Sequence, residues 1–222
     1  MNTSSRTMRI NIEGRWRAED MANSLLAVRD LYNLRLVLEI MREDARDMEH
    51  FWLEMRHFPP FRRWMKHRRF HPMMLQMPFL QSPTVPLDSE QLASLADFTL
   101  PNEELAVSRI EYASPGFKDL TGLGEVIGHV KDFLIRIIEL WCDRDKRRLE
   151  NEKTEAEIES IRIENAKQFV ALAKDCGYSE AELRRITRWV DDRQETIIVL
   201  VQSGKIQTVN MLDDMSSQNR EE

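Results

Sequence analysis

At 222 residues, 42% hydrophobic and 32% charged, the chain is long enough for one sizeable core or two small ones and too apolar to stay unfolded. No run approaches the roughly 20 uncharged apolar residues of a membrane-spanning helix, and Met1 to Met8 lacks the apolar core of a signal peptide, so a soluble, cytoplasmic protein is expected. The formal net charge of -6 is unevenly spread: Arg56 to His71 holds six cations and no acid, leaving -12 on the remainder.

Only two cysteines, Cys142 and Cys176, are present, which argues against a disulfide framework and a Cys-based zinc site. Seven glycines and eight prolines, with no glycine between Gly14 and Gly116, describe a helix-biased chain with few tight turns.

Met8, Ile10 and Ile12 alternate with Arg9, Asn11 and Glu13, the period of two of a half-buried strand, and Gly14 closes the run. Glu19 and Asp20 then favour a helix N-terminus, and no glycine or proline interrupts the chain before Phe58. Ala27, Leu31, Leu34, Leu38, Met41, Ala45, Met48, Trp52 and Met55 step alternately by four and three, a heptad seam that predicts a partner helix. Leu36, Val37 and Ile40 beside the seam widen its apolar face, so the first half is expected to be the more deeply buried.

Pro59 and Pro60 end that helix, because proline lacks the backbone donor and its predecessor avoids helical angles. The stretch to Pro86 holds six of the eight prolines, is rich in Met and Phe, and reads as an irregular connector; a short helix from Ser89 follows, with Ser89 as its cap.

Leu105 to Tyr112 predicts a second strand, with Val107, Ile110 and Tyr112 as packing residues and the first strand as its partner. From Asp119 to about Lys174 there is no proline, and the pattern predicts one helix of roughly 80 Å at 1.5 Å per residue. Its start carries a second heptad seam, Leu123, Ile127, Val130, Leu134, Ile137 and Trp141; apolar residues then thin out, leaving six basic and eight acidic residues between Asp143 and Asn165.

Gly177 fits the left-handed position after a helix, and Ser179 with Glu182 spells a capping box for the last helix, which ends at Gly204. Ile206 to Met211 fits a third short strand or an arm, and 213–222 reads as a disordered tail.

Four constellations bear on chemistry. In 56–71, Arg62, Arg63, Lys66, Arg68 and Arg69 are interleaved with Trp64 and three phenylalanines, offering charge to phosphates and flat rings to bases or lipid headgroups; the same loop can equally neutralise the acidic body of its own chain or of a second copy. Asp47, His50, Glu54 and His57 share a helical face and contain one Glu-x-x-His step, but a di-metal bundle needs a second, and Glu125 to His129 is one residue too long.

Gly122, Gly124 and Gly128 depart from the dinucleotide fingerprint and fit close helix packing better. Neither cysteine has a histidine nearby in sequence, and no nucleophile elbow, P-loop or zinc-protease motif occurs.

The resulting expectation is an α+β fold, predominantly α, in which long, coiled-coil-like helices form a hairpin beside a small two- or three-stranded antiparallel sheet. Residues 1–58 form a strand plus heptad helix, 59–104 a basic connector, and 105–212 a strand, a long helix, a terminal helix and a possible strand. The function expected is that of a non-enzymatic scaffold or adaptor that homo-oligomerises through Leu31, Leu34, Leu38, Met41, Met48, Trp52, Ile127, Val130, Leu134, Ile137 and Trp141. Arg62, Arg63, Trp64, Lys66, Arg68 and Arg69 would contact a protein partner. The alternatives are nucleic-acid binding through those residues and attachment to a membrane surface; no catalytic residue, cofactor or metal is expected.

Overall fold

A computed structural model describes residues 5–57, 105–146 and 151–212. It is an α+β fold, mostly helical, with one four-stranded antiparallel sheet. Strand β1 (Ser5–Ile12) buries Met8, Ile10 and Ile12 and turns Thr7, Arg9 and Asn11 to the opposite face, as its alternation demands.

Helix α1 (Ala18–His57) is one helix of 40 residues, about 60 Å long. Its buried part runs from Ala27 to Glu39; Ala45 to Asp47 are exposed, so the helix leaves the packed body after its midpoint.

Strand β2 (Ala106–Glu111) pairs with β3 (Gly116–Leu123), not with β1 as expected; β3 pairs with β1, and β1 with β4 (Ile206–Leu212), giving the order β2-β3-β1-β4. The sheet therefore has four strands where two or three were expected, and the addition is β3, which the sequence assigned largely to a helix. The reason lies in its composition. Lys118 and Gly122 sit where strand alternation would place large apolar side chains, while Leu120 and Leu123 suit a helical spacing as well as they suit a strand. At Gly122 an added Cβ would lie 2.8 Å from the ring of Tyr32, whose hydroxyl accepts the Leu123 backbone N–H at 2.6 Å. Close packing thus occurs here between strand and α1, whereas Gly128 faces open space.

The 80 Å helix is likewise corrected. Helices α2 (Gly124–Lys146) and α3 (Asn151–Asp175) fold back on each other, with Arg136 donating to Glu164 at 2.6 Å. The charge-rich stretch around the reversal gives no apolar face to a continued helix, so two helices packed side by side bury more. Helix α4 (Glu180–Gln202) packs against α3, where Arg162 reaches Asp191 at 2.7 Å and Glu195 at 2.8 Å.

The α3–α4 turn is as predicted: Gly177 has φ 84°, the Gly177 and Tyr178 N–H groups bond back to Lys174 and Ala173, and the Ser179–Glu182 capping box is complete. Helices α1, α2 and α4 lie against the face of the sheet that carries Met8, Ile10 and Leu120, α3 packs on those helices, and the core is continuous from β4 to the α3–α4 hairpin. The opposite face is polar: Arg9 holds Asp119 through two bonds of 2.7 Å, and Phe117 lies 4.0 Å beneath Arg9 and 5.0 Å from Arg109.

The second seam and the first half of the first belong to this core. Leu31, Leu34, Leu38, Ile127, Val130, Leu134 and Ile137 are buried, Met41 and Trp141 half-buried, and all within one chain; the side chains of Met48 and Trp52 lie outside the described residues. Ala45, further along the first seam, is exposed. Replacement of Gly122 by Ala puts Cβ inside contact distance of a fully buried Tyr32, and is expected to cost about 1–3 kcal/mol, read as a lowered midpoint in urea unfolding.

Candidate functional site

Helix α1 contributes three charged side chains to the interior, Asp30, Arg35 and Glu39, in a segment where Leu34, Leu36, Val37 and Leu38 are also buried. The helix has no solvent face there, so each charge requires a partner. Asp30 accepts from Arg193 of α4 at 2.8 Å and from Arg29 at 3.2 Å. Arg35 pairs with Glu39 one turn on, and its Nη2 lies 2.8 Å from His129 Nε2 of α2. A guanidinium only donates, so His129 Nε2 accepts and its proton sits on Nδ1. Burial, reinforced by the Arg35 charge, holds His129 below the ordinary histidine pKa and favours that neutral form.

This ionic group floors a cleft of about 780 Å³ between α1, α2 and α3. Asp132, Phe133 and Arg136 form one wall and Asn165, Gln168 and Leu172 the other, with Arg42 at the end. Glu39 Oε2 and Arg42 Nε are buried with no hydrogen-bond partner among the described residues. Buried charges of this kind seldom add net stability over an apolar core.

Two carboxylates, Asp132 and Asp175, also line the cleft. The histidine's acceptor nitrogen is occupied by Arg35, and no serine, cysteine or lysine lines the walls. Cys176, half-buried beside the Leu38 carbonyl at 3.5 Å, has its thiol pushed up to about 11 by burial, and Cys142 is exposed. No group of three or more potential metal-ligating side chains occurs among the described residues.

Of the helical metal face, Asp47 is exposed, and the side chains of His50, Glu54 and His57 lie outside the described residues. So do Arg62, Arg63, Trp64, Lys66, Arg68 and Arg69. No described helix is long and apolar enough to cross a membrane.

A second buried charge lies against the sheet. Lys118, on the helix-facing side of β3, donates to Ser24 at 2.7 Å and lies 4.4 Å from the ring centre of Trp16; burial lowers its pKa to about 8. The sequence drew attention to neither group. The signal was present, since charges at 35 and 39 inside an otherwise apolar stretch pair with each other one turn apart, but the third member, His129, comes from α2, far along the chain.

At the sheet's outer flank, β2 is exposed along its whole length. Val107, Ile110 and Tyr112, expected to pack, are 48%, 44% and 62% exposed, because the helical layer ends over β3; Tyr112 is held only through its hydroxyl, which donates to the Trp16 carbonyl at 2.8 Å.

No protein-family model matches the chain, and no curated protein or solved structure is detectably similar to it.

Two outcomes follow. Arg35→Met leaves Glu39 buried and unpaired and is expected to cost about 3–5 kcal/mol, most of it recovered by adding Glu39→Leu; a urea double-mutant cycle measures both. For Lys118, the folded protein releases the proton near 8 while the unfolded chain keeps it to 10.5. The unfolded state binds more protons in that window, so stability rises with pH from about 8 to 10.5, by at most about 3 kcal/mol, and Lys118→Met abolishes the rise in denaturation curves.

Proposed function

We propose that this protein is a non-enzymatic adaptor that acts by association, with itself and with a protein partner. The observation that carries this reading is the uncovered flank of β2. Among the described residues its outer edge is unpaired, and it presents Val107, Ile110 and Tyr112 to solvent at the margin of an otherwise covered sheet. An open strand edge offers a row of backbone donors and acceptors, and peptide segments or a second sheet add to such edges with side-chain pockets supplying selectivity.

The second seam and the first as far as Leu38 are already engaged in the core of a single chain, so association is assigned to the edge rather than to them. The far edge, β4, is a weaker candidate, since Ile206 and Val209 are buried and Met211 and Leu212 half-covered. The cleft supports the same non-catalytic reading: its ionic floor is occupied internally, which suits a rigid recognition surface more than a reaction centre.

Ile110→Lys is expected to weaken self-association at least about tenfold while leaving the circular dichroism unchanged. Leu34→Lys, by contrast, places a charge in the core and is expected to unfold the chain. A Leu34→Lys protein that stays folded but dissociates, by light scattering, would return the interface to the helices.

A further inference from the structure

The β2 edge carries a charge pattern that selects its occupant. Arg109 and Glu111 stand on the polar face of the sheet, opposite Asp119 and Phe117 of β3, while Ile110 stands on the helix-facing side opposite Lys118. Arg109 and Glu111 are 63% and 50% exposed and form an ion pair with each other at 3.1 Å. Ser108 is the extra residue of a bulge between Val107 and Arg109, its hydroxyl bonded to the Asp119 carbonyl at 3.1 Å. Bulges and charges on an edge discourage unrelated strands, because an arriving segment must match the charges or leave them unpaired.

We infer that the occupant of this edge is a second copy of the chain, added antiparallel about a two-fold axis through Ile110, so that Arg109 of each copy faces Glu111 of the other. This rests on the self-associating reading above. Three considerations single out the register.

Antiparallel partners in a continuous sheet share a face, so slips of one residue are excluded and only every second register is open. Centring the axis on Arg109 sets two arginines opposite each other, and centring it on Glu111 sets two glutamates opposite each other; like charges directly across a ladder destabilise it. Centring it on Ile110 pairs opposite charges twice on the polar face and stacks Ile110 on Ile110 on the other, where the helical layer does not reach. The two four-stranded sheets then join into one of eight strands, the ladder ending at the Ser108 bulge of each copy. A strand this short buries less than the roughly 1,200 Å² of a standard interface, so the dimer is a weak one that is populated at high protein concentration.

The experiment uses the full chain in sedimentation equilibrium over a wide concentration range. Arg109→Glu alone places glutamates opposite glutamates, and Glu111→Arg alone places arginines opposite arginines; each is expected to raise the dimer dissociation constant at least about tenfold. An equimolar mixture of the two single variants restores opposite charges across the axis and is expected to form a heterodimer at least as tight as the unaltered dimer. A role confined to the pair within one strand cannot give rescue by mixing, because neither chain regains its own partner.

If the unaltered protein stays monomeric throughout, both the self-associating reading and this register fail. If it dimerises but the single variants match it, or mixing does not rescue them, the register fails while self-association stands. Circular dichroism of each variant establishes that the fold is intact, which the full exposure of both side chains' strand leads us to expect.

Discussion

The interior of this protein is organised around the stretch of α1 from Asp30 to Glu39, a helix buried on every side while carrying three charges. An apolar helix in that position would pack against its neighbours in several rotational settings of similar energy. Here Asp30 must meet Arg193 and Arg35 must meet His129, so α1 is fixed simultaneously against α4 and α2. The cost of desolvating these groups is offset only when both partners are in place, which makes the arrangement of the helical layer close to all-or-none. The cleft inherits its shape from the same constraint, since its floor is the guanidinium that cannot rotate away.

The sheet answers this with a different device. Its covered face accepts Lys118 beneath Trp16, and its open face is tied by the Arg9–Asp119 fork and by hydroxyl and amide bonds, Thr7 to Thr121 and Asn11 to Thr208. The polar face is thus bonded across strands and needs no helical cover. Strand β2, exposed along its length, carries the Arg109–Glu111 pair on the polar face, and its outer edge is unpaired among the described residues.

Much of this was legible in the sequence, for reasons specific to each element. The alternation in β1, the capping box at Ser179, the left-handed Gly177 and the long uninterrupted α1 are local signals, and local signals survive into the fold. What was missed required knowledge of distant neighbours. β3 hides because Gly122 is dictated by Tyr32 and Lys118 by Trp16, neither of which a window around β3 contains. Periodicity cannot distinguish a neighbour in the same chain from one in another: Leu31, Leu34 and Leu38 of the first seam and Ile127 to Ile137 of the second are buried within one chain, while Ala45 is exposed. Val107 and Ile110 invert the usual inference: apolar alternation implied a covered strand, whereas the cover ends one strand short.

The placement of β1 between β3 and β4 has a consequence for the order of folding. Asn11 bonds to Thr208 across a separation of 197 residues, and the edge of β1 that faces β4 stays unpaired until Ile206–Leu212 docks. Ile10 and Ile12 meet Val209 and Ile206 only then, although their other edge can close on β3 much earlier. Contacts this distant in sequence form late in folding, so a chain in which Ile206–Leu212 has not yet docked leaves one edge of the central strand β1 unpaired.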